Sequence, residues 1–150
     1  IVKNIDLFQR LYIMESKEQK AVVFYQHLSK LFYAIALADK KIKKEEFEVM
    51  KKEISLLGVS ENYSVIDAEI DIEHYITTTF KILYFDEATV ETCFEDFVTY
   101  KRAHESLFTT SIKNAILKIA GKIAASFSDV NKSELILLAK LSLEFKQTSS

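Results

Sequence analysis

Residues 24–38 read Phe24-Tyr-Gln-His-Leu-Ser-Lys-Leu-Phe-Tyr-Ala-Ile-Ala-Leu-Ala38. Phe24, Leu28, Leu31, Ile35 and Ala38 recur at alternating spacings of four and three, which places them along one side of an α-helix. Lys43 to Leu57 repeats the pattern with Phe47, Met50, Ile54 and Leu57, and Gly58 follows where a left-handed residue commonly closes a helix. The two segments are expected to form a helical hairpin joined by Asp39 to Ile42.

A second hairpin is expected near the other end. Ser111 to Phe127 presents Ala115, Ile119 and Ile123, with Ala120, Ala124 and Phe127 one step around. Asn131 is then placed to cap the next helix, and Glu134, three residues on, to reciprocate at its amide. Along Asn131 to Phe145, Leu135, Ile136, Leu137, Leu138, Ala139, Leu141 and Leu143 cover most of the circumference, so this helix is expected to lie centrally or at an interface. Gly121, beside Ala120, Ala124 and Ala125, reads as a site of close helix approach.

Between the hairpins, Asn62 to Phe80 and Asp86 to His104 read as helices separated by Ile82-Leu83-Tyr84-Phe85. Asp86 is the expected cap of the second, on which Val90, Phe94, Phe97 and Lys101 trace one side. The β-branched-rich run Ile76-Thr77-Thr78-Thr79-Phe80 is where fraying or a local extended form would fall, without changing the helical reading. At the start, Ile5 to Met14 reads as a short first helix, and Ser16 as the beginning of a longer one toward Ala38.

Composition agrees with this helical reading. The 150 residues contain no Pro and two Gly, too few for a fold rich in tight hairpins, and 49% are hydrophobic against 28% charged. The expectation is an all-α, compact single-domain helical bundle over 1–150 with two pseudo-repeated helical hairpins. Cys93, the single cysteine, allows no internal disulfide, and its neighbours Val90, Phe94 and Phe97 mark it as a small buried thiol. No apolar run reaches membrane-spanning length, and Ile1 to Asp6 lack the features of a signal peptide, so a soluble, cytoplasmic chain is expected. Because the sequence opens on Ile1 and not Met, that expectation leaves room for residues upstream.

The net charge of -2 is unevenly spread. Residues 1–60 carry eleven Lys or Arg against eight acids, 61–96 carry Lys81 alone against ten acids, and 97–150 carry eight bases against four acids. An acidic middle between mildly basic ends can focus cations or a basic partner only if its charges share one surface.

The stretch Ile35-Ala-Leu-Ala-Asp39-Lys-Lys-Ile42-Lys-Lys-Glu-Glu46-Phe-Glu-Val-Met50 resembles the TerB-like family of tellurite resistance proteins. Asp39, Ile42 and Glu46 fit that family's acid, apolar and glutamate positions, with Lys40 where its glycine usually stands. Ala124-Ala-Ser-Phe127-Ser-Asp129-Val-Asn-Lys-Ser-Glu134-Leu135 is similar to a second copy, two residues shorter in its loop, with Val130 in place of the glycine. The resemblance spans about residues 24–145. It implies two related hairpins in a compact helical domain, a role in stress response, and links to membrane-associated tellurite resistance machinery or metal sensing.

For chemistry, Asp39 is suited to accept amide hydrogens in the turn, and Glu46 to the positive first turn of the following helix. Asp39, Glu45 and Glu46 also offer the start of a divalent-cation shell, opposed by Lys40, Lys41, Lys43 and Lys44 and by the lack of a full calcium-loop pattern. Glu69, Asp71 and Glu73, with His74 beside them, form an acidic group. His27, His74 and His104 are scattered, and no Gly-rich phosphate loop, nucleotide fingerprint or base-reading helix is present, which argues against an enzyme and against nucleic-acid binding. The expected function is a non-enzymatic adaptor or sensor without a cofactor, recognising a protein partner through Asp39, Lys40, Lys41, Lys43, Glu46, Glu69, Asp71 and Glu73. A divalent-cation sensor at Asp39, Glu45 and Glu46 is one alternative. A structural oligomerisation module, motivated by the apolar 135–143 segment, is the other.

Overall fold

A computed structural model describes residues 2–38, 44–45, 47–49, 51–53, 72–125 and 132–147. They are helical almost throughout, and among them there is no strand. The helices are α1 (Val2–Leu37), α2 (Ile72–Phe85), α3 (Val90–Ala103), α4 (Thr110–Ala125) and α5 (Lys132–Lys146), with a 3-10 turn at Glu105–Leu107. The described residues between 44 and 53 are helical as well.

The second half of α1 is the centre of the molecule. From Phe24 to Ala36 it buries Tyr25, Phe32, Tyr33, Ala34 and Ala36 in addition to the stripe Phe24, Leu28, Leu31 and Ile35, and over Leu31–Ala36 it is enclosed on every side, with Gln26, His27 and Lys30 half-buried before that. Helices α2, α3, α4 and α5 all pack against it. Ser29, fully buried, donates its hydroxyl to the Tyr25 carbonyl at 2.8 Å and so carries no unmet hydrogen bond into the core. Around this segment Phe24, Phe97, Phe108 and Phe145 meet with ring centroids 5.8–6.4 Å apart, joining α1, α3 and α5 to the loop before α4.

Several expectations are corrected. There is no break at Ser16: α1 runs unbroken because nothing before residue 58 is Pro or Gly. Ile76-Thr77-Thr78-Thr79 lies inside α2, where burial of Ile76 and Phe80 outweighs β-branched propensity and Thr79 Oγ1 donates to the Tyr75 carbonyl at 2.7 Å. Ile82 to Phe85 does not separate helices; it is the last turn of α2. That helix is closed by Glu87, left-handed at φ 52°, with Ala88 N–H donating to Leu83 O and Glu87 N–H to Tyr84 O, a Schellman pattern without its usual glycine. Thr89, and not Asp86, caps α3, its hydroxyl accepting from Thr92 N–H at 3.1 Å.

Helices α4 and α5 pack on each other as the second hairpin requires. The described part of 44–53, expected to pair with α1 in the first hairpin, meets other helices: the Phe47 and Phe80 ring centroids, the latter on α2, are 4.9 Å apart, and Glu53 accepts from Lys122 on α4 at 3.2 Å. The connections 39–43 and 126–131, with Asn131 and the helix end at Gly58, lie outside the described residues. The hairpins are therefore not established as copies of one another. Of the two positions expected for α5, central or at an interface, the central one belongs to α1: Leu137, Leu141 and Phe145 turn inward, while Leu135, Ile136 and Leu143 are 56%, 47% and 61% exposed.

Gly121 does not mark a close approach. An added Cβ there meets nothing within 4 Å, and no glycine has positive φ among the described residues. Gly121→Ala is expected to raise stability by about 1 kcal/mol, since only the entropic cost of glycine in a helix is removed. Thermal denaturation checks this, with a rise in Tm of about 3 °C expected.

Candidate functional site

Helix α5 distributes its side chains against the usual rule. Its two acids, Glu134 and Glu144, are buried, whereas its exposed residues include Leu135, Ile136, Ala139 and Leu143 interspersed with Lys132, Lys140 and Lys146. Three large apolar side chains therefore face water on one helix, and the surroundings of that face form the candidate site.

The face borders a groove between α3 and α5, which run alongside in the same direction. At one end Val90, Glu91 and Phe94 oppose Ser133, Ile136 and Leu137, over a base formed by Leu37 and Ala38 at the end of α1, enclosing about 400 Å³. Toward the other end Glu95, Val98 and Arg102 oppose Lys140, Leu143 and Gln147, around a further depression of about 430 Å³. Phe94, Glu95 and Lys140 line both, so the two depressions are continuous. The α3 edge is acidic over its first turns through Glu91 and Glu95 and the α5 edge is basic at Lys140, while Arg102 and Glu144 at the far end pair with each other.

A buried ionic cluster closes the groove at its far end. Lys101 is fully buried, and its ammonium donates to Glu144 O at 3.0 Å, Glu144 Oε2 at 3.1 Å and Gln147 O at 3.3 Å, and pairs with Glu105 Oε1 at 2.9 Å. Arg102 reaches both oxygens of Glu144, at 2.7 and 3.1 Å. Lys113 from α4 donates to Phe145 O at 3.1 Å. The Glu144 and Phe145 carbonyls in the last turn of α5 and the Gln147 carbonyl just beyond it thus meet two ammonium groups at the negative end of the helix dipole, Glu144 O accepting also from Gln147 N–H at 3.2 Å. This cluster fixes α5 against α3 and α4. Helical spacing placed Lys101 on the apolar side of α3; of the groups that make its burial tolerable Glu105 is one turn on, but the carboxylate of Glu144 and the carbonyls of Glu144 and Gln147 come from more than forty positions away.

Elsewhere, Tyr100 lies between two imidazoles, with ring centroids 4.1 Å from His27 and 4.3 Å from His104. Both histidines use Nδ1 to donate to a backbone carbonyl, His27 to Val23 and His104 to Tyr100. Burial holds His27 below the usual histidine range. Two of the three histidines scattered in the sequence are thus brought together, on an aromatic ring and with no nucleophile between them, while His74 lies against Tyr75. Cys93 is buried beside the Lys30–Asp96 pair, and burial pushes its thiol up to about 11, which disfavours the reactive thiolate.

Of the residues expected from sequence to form the site, Asp39, Lys40, Lys41, Lys43, Glu46, Glu69 and Asp71 lie outside the described residues, as does the side chain of Glu73. Glu45 is exposed on a helical segment. Lys44 lines a separate depression of about 370 Å³ with Tyr33, Phe47, Phe80, Lys81 and Tyr84. Beside it Phe85 is 80% exposed. Among the described residues no group of three or more His, Cys, Asp or Glu is arranged to hold a metal ion, and no helix is long and apolar enough to cross a membrane. No family model, curated protein or solved structure matches the chain.

Hydrogen bonds from Arg102 hold the Glu144 carboxyl below its ordinary value against the opposing effect of burial, with Lys101 adding to the depression. A depressed folded-state value contributes stability that is complete above the ordinary glutamate range and lost as pH falls through the folded value. Glu144→Gln is expected to cost about 2 kcal/mol at neutral pH, since Arg102 loses its charged partner while Lys101 keeps Glu105 and the Glu144 and Gln147 carbonyls. Urea denaturation across pH should show the gap from wild type closing as pH drops below about 4.3. A gap that stays constant down to acid would contradict the assignment. Cys93 should resist a disulfide-exchange reagent at about pH 8 and react only once denaturant is added.

Proposed function

We propose that this chain is a non-enzymatic helical interaction module, acting by protein–protein recognition through the face that α5 and the α3/α5 groove present. The observation that carries the reading is the outward exposure of Leu135, Ile136 and Leu143 on a helix whose inner side already fills the core. Such a face is costly for a solitary soluble domain, because each exposed leucine forgoes about 1.5–3 kcal/mol of burial. A groove of helical length, apolar along its floor and polar at its edges, suits recognition of another helix.

The rigid cluster at Lys101 and Glu144 supports the same reading, because it keeps the two walls in fixed relation and lowers the ordering cost of binding. Residues 24–145 resemble the TerB-like family, and on that resemblance the recognition would belong to a cytoplasmic response to tellurite or metal stress. The proposal places the recognition surface on α3 and α5, and the aromatic depression around Phe80 and Tyr84 is the secondary candidate.

Affinity capture with wild type and with Leu135→Glu/Leu143→Glu tests the reading. Both positions are exposed, so the double variant should keep its helical content and cooperative melt while losing the proteins that wild type retains. Retention of every captured protein by a folded double variant would remove the α5 face from the account.

A further inference from the structure

Resting on that reading, we infer that the partner for this face is a second copy of the same chain, joined across a two-fold axis running along the α3/α5 groove. The argument is charge complementarity. The face is apolar at its centre through Phe94, Ile136 and Leu143, acidic over the first turns of α3 at Glu91 and Glu95, and basic on α5 at Lys140, while Arg102 farther along α3 and Glu144 opposite it pair with each other. Rotation by half a turn about an axis along the groove exchanges left and right while keeping the direction of both helices. It sets α3 of one protomer over α5 of its partner, so an acidic edge meets a basic edge twice and apolar centre meets apolar centre.

The level of the charges along the groove fits this operator. Glu95 and Lys140 line the same two depressions, so they stand at the same height, and the operator preserves height; Lys140 of one protomer is brought opposite Glu95 of the other. Neither side chain makes an ion pair within its own chain among the described residues, which leaves both available across the interface. The same pattern disfavours other occupants. An anionic lipid surface attracted by Lys132, Lys140 and Lys146 meets Glu91 and Glu95 on the adjoining edge, and a peptide of one charge sign meets an edge of its own sign.

Light scattering after size exclusion, with sedimentation over a concentration series up to about 0.5 mM, tests the inference. Wild type is expected to reach a dimer, and Leu143→Glu to weaken it at least tenfold while remaining folded. Glu95→Lys alone and Lys140→Glu alone should each be monomeric under conditions where wild type is dimeric, because each homodimer then carries two like-charge contacts. An equimolar mixture of those two single variants should restore a dimer, since one supplies lysine and the other glutamate at both contacts. A mixture that stays monomeric alongside a dimeric wild type overturns this pairing. A wild type that stays monomeric while affinity capture still depends on Leu135 and Leu143 overturns self-association and leaves the docking reading standing; loss of both removes both. Leu143-dependent binding of a monomer to vesicles of phosphatidylserine and phosphatidylcholine would overturn the proposal in favour of a lipid surface.

Discussion

The enclosure of residues 24–36 of α1 is the constraint on which the remaining structure depends. A helix apolar on one stripe needs one neighbour, whereas a helix apolar around its whole circumference needs neighbours on every side. From Leu31 to Ala36 every residue of α1 is buried, while Gln26, His27 and Lys30 just before keep one side partly exposed, and α2, α3, α4 and α5 are each recruited to cover part of the helix. Deletion of a ring at this centre is felt across several helices, because Phe24 touches Phe108, which in turn touches both Phe97 and Phe145.

This chain contains two helices whose sequences are apolar on nearly all sides, and one interior can enclose only one of them. Helix α1 is long and passes through the middle, so its neighbours close around it. Helix α5 is attached at the edge, with Leu137, Leu141 and Phe145 inward, its C-terminal carbonyls clamped by Lys101 and Lys113, and its remaining leucines outward. The buried ionic cluster therefore does more than satisfy hydrogen bonds. It fixes the rotation of α5 about its own axis, and that rotation decides which leucines face water. Recognition through the α5 face thus follows from how the core is built.

Much of the helical architecture was legible in the sequence, because three- and four-residue spacing survives in any helix with a buried side. The stripe from Phe24 to Ala38, the buried Cys93 and the run Ala115, Ile119, Ile123 all read correctly in outline. Boundaries were less legible where the stop signal was unconventional: Glu87 takes the left-handed position that glycine usually occupies, and Thr89 caps α3 three residues beyond the acid expected to do so. The choice between a central and an interface position for 131–145 was left open because periodicity reports how much of a helix is apolar and not which helix the others surround. The groove was illegible for a further reason. Its walls are separated by about forty residues, and its charge pattern arises only when Glu91 and Glu95 are brought beside Lys140.

Native-state hydrogen exchange read residue by residue tests the central claim most directly. The account predicts that amides of residues 24–36 exchange last, with a denaturant dependence matching global unfolding, because no neighbouring helix can leave without exposing them. Exchange of that segment through local opening, ahead of α3 and α4, would mean that α1 is not enclosed, and the outward face of α5 would lose its structural reason.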